Sequence, residues 1–152
     1  MSEHVTTLSW RRAPSPVAEN TFDRNHRVKL GVSTSFQASS APDYKGDPDC
    51  VDPEEMLVGA LASCHMLTFL AIAEVKGFVV ESYDGKATGF LEKGENGRLQ
   101  ITRIALQPVI EFSGDKQPDE EAIERIHAAA HRNCFIANSL TLCHVPSGES
   151  SS

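Results

Sequence analysis

Cysteine is scarce in this sequence, four among 152 residues, and no Cys-x-x-Cys pair occurs. That scarcity excludes a disulfide-stapled miniature scaffold, which a chain of one-domain length does not need in order to bury a core. Positive charge is sparse too. Nothing longer than Arg11-Arg12 stands against a net charge of -7, so phosphate backbones and anionic lipid find no attractive surface. There is no internal repeat, and a composition of 40% hydrophobic and 23% charged residues excludes wholesale disorder. The opening Met1-Ser2-Glu3-His4 has neither a basic n-region nor an apolar h-region. A cytosolic, reducing setting is therefore expected, in which paired cysteines serve chemistry more often than structure.

One long apolar run is present. Apart from the Cys64 thiol, residues 56–75 carry only His65 and Glu74 as titratable groups, and twenty residues is the length a bilayer span requires. Gly59, Ser63, Cys64 and Thr68 interrupt it, its start is acidic, and no basic residue flanks it beyond Lys76. A buried helix fits this better than a span.

Along the chain, residues 5–10, 27–32 and 35–39 read as short strands, and residues 42–52 as a loop that could fold over a site. Asp52-Pro53-Glu54-Glu55 then supplies an N-cap, a proline at the first helical position and a glutamate three residues after the cap. Gly77 is the matching stop. A helix so apolar must be covered on most faces, more than one small sheet provides, which argues for burial against a second copy. Residues 79–91 and 98–112 predict an antiparallel pair joined through Asn96-Gly97, with a bulge near Thr102-Arg103 where the inward set shifts from Leu99 and Ile101 to Ile104, Leu106 and Ile110. Pro118-Asp119 opens a second helix running to about Asn133, and a strand over 139–145 precedes a Ser/Gly/Glu tail, 146–152, expected to be disordered. The plan is α+β, one domain over residues 1–145.

Two segments set a cysteine into an apolar helical context: Leu61-Ala62-Ser63-Cys64-His65-Met66-Leu67 and His131-Arg132-Asn133-Cys134-Phe135-Ile136-Ala137-Asn138-Ser139. Taken alone, either cysteine reads as core filler. Cys50 and Cys143 have no supporting motif and are taken as incidental.

The run from Asp52 to Cys64, with its Pro-Glu opening and a cysteine ten residues after the glutamate, resembles the helix motif of the OsmC/Ohr family. His131 to Asn138 resembles that family's second cysteine motif, and element order and the Gly77-Phe78 exit also fit over roughly residues 20–145. Cys64-His65 and Arg24-Asn25-His26 are similar to an OsmC-type branch, and Phe135 stands where the organic hydroperoxide resistance branch has proline. The resemblance implies a thiol peroxidase acting in stress defence as an intertwined homodimer, with no metal or other cofactor. It makes Cys64 the peroxidatic thiol and Cys134 the resolving one, with Glu54 and an N-terminal arginine, Arg24 in preference to Arg27, holding the reactive cysteine. It implies a hydroperoxide substrate and a dithiol or lipoyl reductant.

Burial in an apolar helix raises a thiol pKa, so a cation or hydrogen-bond donor is needed beside Cys64. Ten residues of helix separate Glu54 from Cys64 by about 15 Å along the axis and about 80° around it. The two cannot meet within one straight helix, so a shared site requires Glu54 to reach the Cys64 of a second subunit. His65 lies about 100° around the helix from Cys64, which makes direct general-base contact awkward. Other chemistries fit parts of the pattern: a metal site using His127, His131 and Cys134, a Cys-His hydrolase built on Cys64, or a thiol- or fatty-ligand-binding module without turnover. Glu54 and Glu55 also serve as first-turn acids that complement the helix dipole.

Overall fold

The computed structural model describes residues 1–140. The chain divides into two compact units, Met1–Met56 and the residues from Leu57 onward. The first unit is an antiparallel meander of β1 (Thr6–Ser9), β2 (His26–Leu30) and β3 (Thr34–Ala38), in which Val28 pairs with both Leu8 and Phe36. Val28 and Ala38 form its buried centre. Beyond β3 the chain turns through Pro42–Tyr44 and returns so that the Ser39 amide donates to the Val51 carbonyl at 2.9 Å. The return is tight at Gly46, where any Cβ would collide with the Ser40 backbone.

Helix α1 (Pro53–Val75) starts where its sequence demands. The Asp52 carboxylate accepts from the Glu55 amide at 2.8 Å and the Glu55 carboxylate accepts from the Asp52 amide at 3.0 Å, a reciprocal capping box that commits Glu55 and leaves Glu54 free of that duty. The helix ends in a Schellman motif. Phe78 N–H donates to the Ala73 carbonyl and Gly77 N–H to that of Glu74, with Gly77 at φ +80°.

Strands β4 (Val79–Lys93) and β5 (Leu99–Ser113) pair in antiparallel register, and helices α2 (Glu120–Asn133) and α3 (Phe135–Ser139) follow. The expected bulge is present: Phe90 pairs with Arg103 and Leu91 with Ile101, so Thr102 is the extra residue. It lets Ile101, Ile104 and Leu106 all face inward. A second irregularity, leaving Glu81 unpaired between Val80 and Ser82, is not foreshadowed by any turn residue. Around the hairpin and α1 lie two apolar clusters. One gathers Leu61, Ile101, Ile104, Leu106 and Cys134, and the other Phe69, Ala73, Ile126 and Ala130.

Two expectations are modified. α1 is apolar on all sides, yet the chain buries only the stripe Leu61, His65, Phe69 and Ala73, leaving Leu67 59% and Val75 87% exposed. The hairpin and α2 offer this helix one contact surface, so the remaining faces have no cover among the described residues. The strand expected over 139–145 does not begin at Ser139, which instead closes α3; its residues beyond Leu140, with Cys143 and the tail at 146–152, lie outside the described residues. α3 itself is unannounced in the sequence.

Replacing Gly77 by alanine tests the α1 stop. A Cβ there meets only the flexible Lys116 side chain at 3.5 Å, so the cost is backbone strain at positive φ rather than a clash. Urea unfolding of Gly77→Ala should show a loss of about 1 kcal/mol with an unchanged m-value.

Candidate functional site

The seventy-residue separation of Cys64 and Cys134 closes within the second unit. Cys64 projects from mid-α1, and Cys134 is at once the C-cap of α2 and the N-cap of α3. Cys134 is wholly buried, Cys64 is half-buried, and both are free thiols in one apolar cluster. The local chain explains the meeting: α2 ends at Asn133, Cys134 adopts an extended conformation (φ -72°, ψ 115°), and α3 begins at once, turning its first amides back toward the sulfurs. Ala137 N–H donates to Cys134 Sγ at 3.4 Å, in the manner of an N-cap.

Those amides decide the electrostatics. Burial, the largest influence, pushes the Cys64 thiol up, but the Ile136 amide, the Cys134 thiol and the Phe135 amide near its sulfur favour the thiolate, and together they hold it below the ordinary thiol value. Thr68 adds little, because its one hydroxyl proton is given to the Cys64 carbonyl at 2.8 Å. Cys134 goes the other way. Burial raises it, its bond from the Ala137 amide offsets this in part, and donating to Cys64 raises it further. The pair thus shares a proton unequally: Cys64 is the better thiolate and Cys134 the proton holder. Cys50, by contrast, is raised by burial and by the nearby Asp47, Asp49 and Asp23 carboxylates, the opposite of an activated thiol.

Beside the cysteines lies a group whose contact the sequence did not reveal. His65 Nε2 and His127 Nδ1 are 3.0 Å apart, with the rings nearly parallel at 10°. His65 is 3% and His127 7% exposed, and Phe69 packs against the His127 ring at 4.5 Å. Burial, then His127, then His131 push His65 down to about 4, and burial lowers His127, so both imidazoles are neutral near pH 7. In the sequence His65 stands beside Cys64 and His127 one helical turn before His131, and only the tertiary fold pairs them.

The other two expected site residues, Arg24 and Glu54, lie in the first unit and are not paired with one another there. The Arg24 guanidinium donates to the Phe22 carbonyl at 2.8 Å and to Thr21 Oγ1 at 3.2 Å, and stacks on the Phe22 ring. Arg27 donates to Ser35 Oγ at 2.8 Å. Glu54 has a buried carboxylate oxygen, Oε2, without a hydrogen-bond partner among the described residues. Such an atom strongly favours a donor brought from elsewhere.

Among the described residues, no group of three His, Cys, Asp or Glu side chains is placed to hold a metal ion. A groove of about 240 Å³ runs between α1 and the hairpin, lined by Ala62, Met66, Tyr83, Leu106 and Pro108. Ala62 and Met66 are each about 160° around the helix from Cys64, so this groove lies on the far flank of α1 from the thiol.

The family model for OsmC-like proteins matches residues 46–146, which contain the capping box and both cysteine segments. This chain belongs to the OsmC/Ohr family. An OsmC-like protein of unknown function from Vibrio cholerae has a solved structure that superposes with a TM-score of 0.86 at 39% identity, covering 93% of this chain and 96% of that one. An organic hydroperoxide resistance protein from Elizabethkingia anophelis shares the fold at a TM-score of 0.68 and 18% identity, over 91% and 88% of the two chains. Among curated sequences, the uncharacterized protein YmaD of Bacillus subtilis is 25% identical over 96 residues, a stretch covering 62% of this chain and 63% of that protein's length. The family accounts for the α+β architecture and for α1 as a core helix: long and apolar enough for a membrane by length and composition, yet packing Leu61, Phe69 and Ala73 into the protein.

The neutral histidine pair makes stability depend on pH. For His65 the folded pKa of about 4 lies below the unfolded value of 6.5, so the unfolded chain binds more protons between the two. Stability from this group is complete above pH 6.5 and is lost as pH falls to 4, on the order of 3 kcal/mol in all. Urea midpoints across that range should drop for the parent protein and drop less steeply for the double variant H65L/H127L.

Proposed function

We propose that this protein is a thiol peroxidase that reduces organic hydroperoxides through a Cys64–Cys134 disulfide cycle. The observation that carries the reading is two free thiols seventy residues apart brought into one apolar cluster, Cys64 on α1 and Cys134 at the junction of α2 and α3, with the Cys64 thiol held below its ordinary value and that of Cys134 above. Family membership and the names of the hydroperoxide resistance relatives supply the substrate class.

The Cys64 thiolate attacks one oxygen of the peroxide, the O–O bond breaks, and the alkoxide leaves as alcohol after taking a proton. Cys64 is then a sulfenic acid. The Cys134 sulfur attacks the Cys64 sulfur, the S–O bond breaks, and water departs with the Cys134 proton, leaving a disulfide. A dithiol, of lipoyl or small-molecule type, attacks the disulfide and restores both thiols as it is itself oxidised. Deprotonating Cys134 costs less once its acceptor, the Cys64 thiolate, has been consumed.

In this reading the protein works in the cytoplasm as a homodimer in which the uncovered faces of α1 meet a second copy. Glu54 and Arg24 would act from the partner chain, the arginine leaving Phe22 to meet the unpartnered Glu54 oxygen and approach the peroxide. The sequence features Cys64-His65 and Arg24-Asn25-His26 favour the OsmC-type branch.

Peroxide-dependent oxidation of dithiothreitol tests the cycle. Cys64→Ser should abolish it, a loss of at least 10³-fold given the dependence on the thiolate. Cys134→Ser should complete one turnover and then stall or over-oxidise. Undiminished turnover in Cys64→Ser would overturn the assignment, and ligand retention without dithiol oxidation in the parent would make the protein a binding module.

A further inference from the structure

Resting on the thiol-pair reading above, we propose that the His65–His127 hydrogen bond is a positioning device that sets the approach of Cys64 to Cys134. His65 directly follows Cys64 on α1, and His127, buried on α2 with Ile126 and Ala130, precedes the C-cap Cys134 by seven residues, about two turns. The imidazole contact therefore ties together the two helices that carry the cysteines, next to Cys64 on α1 and about two turns before Cys134 on α2.

Its role is geometric because the remaining contacts between these helices are of another kind. Phe69 and Ala73 on α1 pack against Ile126 and Ala130 on α2, and such apolar contact is non-directional and tolerates sliding. Apart from the contact of the two thiols themselves, the bond at 3.0 Å is, among the described residues, the one side-chain hydrogen bond between α1 and α2, and its energy falls steeply with distance and angle. Disulfide formation is as demanding. It admits Cα separations of only about 4.4 to 6.8 Å, so a slide of about 1 Å moves a thiol pair across roughly two-fifths of that window.

Two buried imidazoles are also a poor choice for stability alone, since an apolar pair of similar volume avoids their desolvation. One proton between His65 Nε2 and His127 Nδ1 satisfies both, which makes the two neutral rings the same tautomer, both protonated on Nε2 or both on Nδ1. Cys64 and Cys134 remain the reacting groups, and the histidines act through the helices that carry them.

The test is the thiol–disulfide equilibrium against glutathione, in which oxidised glutathione takes both thiol hydrogens and leaves as two reduced molecules while the Cys64–Cys134 bond forms. For His127→Leu the equilibrium constant should fall about tenfold, a rise of about 30 mV in reduction potential. His127→Asn places an amide where Nδ1 was and should stay within twofold of the parent. Urea unfolding, run in parallel, separates positioning from stability. Should His127→Leu not fold, H65L/H127L, which leaves no unpaired buried nitrogen, should show the same tenfold fall. An equilibrium constant unchanged in whichever of these variants folds, or His127→Asn behaving as His127→Leu, would overturn the proposal. A parent that forms no such disulfide with glutathione would overturn it as well. Glutathione-driven disulfide formation that responds to these variants, in a protein that peroxide does not oxidise, would sustain this inference while sinking the peroxidase.

Discussion

A sulfur anion in an apolar core survives only if donors are aimed at it, and in this protein the donors are the first amides of a five-residue helix. α3 exists as a separate helix because Cys134 breaks from helical geometry after Asn133 and caps the next turn with its own sulfur. That single extended residue turns the Phe135 and Ile136 amides toward Cys64. The same break ends α2 at the depth where Cys134 is fully buried. The lowered pKa of one thiol and the raised pKa of the other thus go back to one backbone kink, and among the described residues no cation contributes to the shift at Cys64.

Within the second unit, the larger elements fix that kink against α1. The capping box and the Schellman motif define where α1 begins and stops, which sets Cys64 near its middle. The Thr102 bulge rotates β5 so that Ile101 and Ile104 both reach the cluster holding Leu61 and Cys134. Apolar packing presses the helices onto this sheet, and the histidine contact adds direction to it.

Much of the architecture is legible in the sequence because local chemistry and global fold agree there. Asp52-Pro53-Glu54-Glu55 states a helix start in caps, Gly77 states its end, and the shift of inward residues from Ile101 to Ile104 states the bulge. The two cysteine segments are legible as a pair only through their resemblance to a family. What the residues do not disclose is tertiary or without a propensity signal. Cysteine is not a favoured cap, so nothing at Cys134 announces α3. His65 and His127 are sixty-two residues apart and each looks like an ordinary core histidine until the helices pack. The need for a donor at Cys64 was foreseeable; that backbone amides would meet it was not. The uncovered faces of α1 and the Glu54 oxygen, which has no partner among the described residues, are tertiary features as well, with no local sequence signal to announce them.

The central claim is that Cys64 and Cys134 lie close enough to bond directly when peroxide arrives. Mass mapping of the two cysteine peptides after one equivalent of cumene hydroperoxide tests it. The account predicts a cross-linked pair lighter by two hydrogens, with Cys50 left as a free thiol. A lasting sulfenic or sulfinic acid on Cys64 with Cys134 unmodified, or no oxidation at either sulfur, would contradict it.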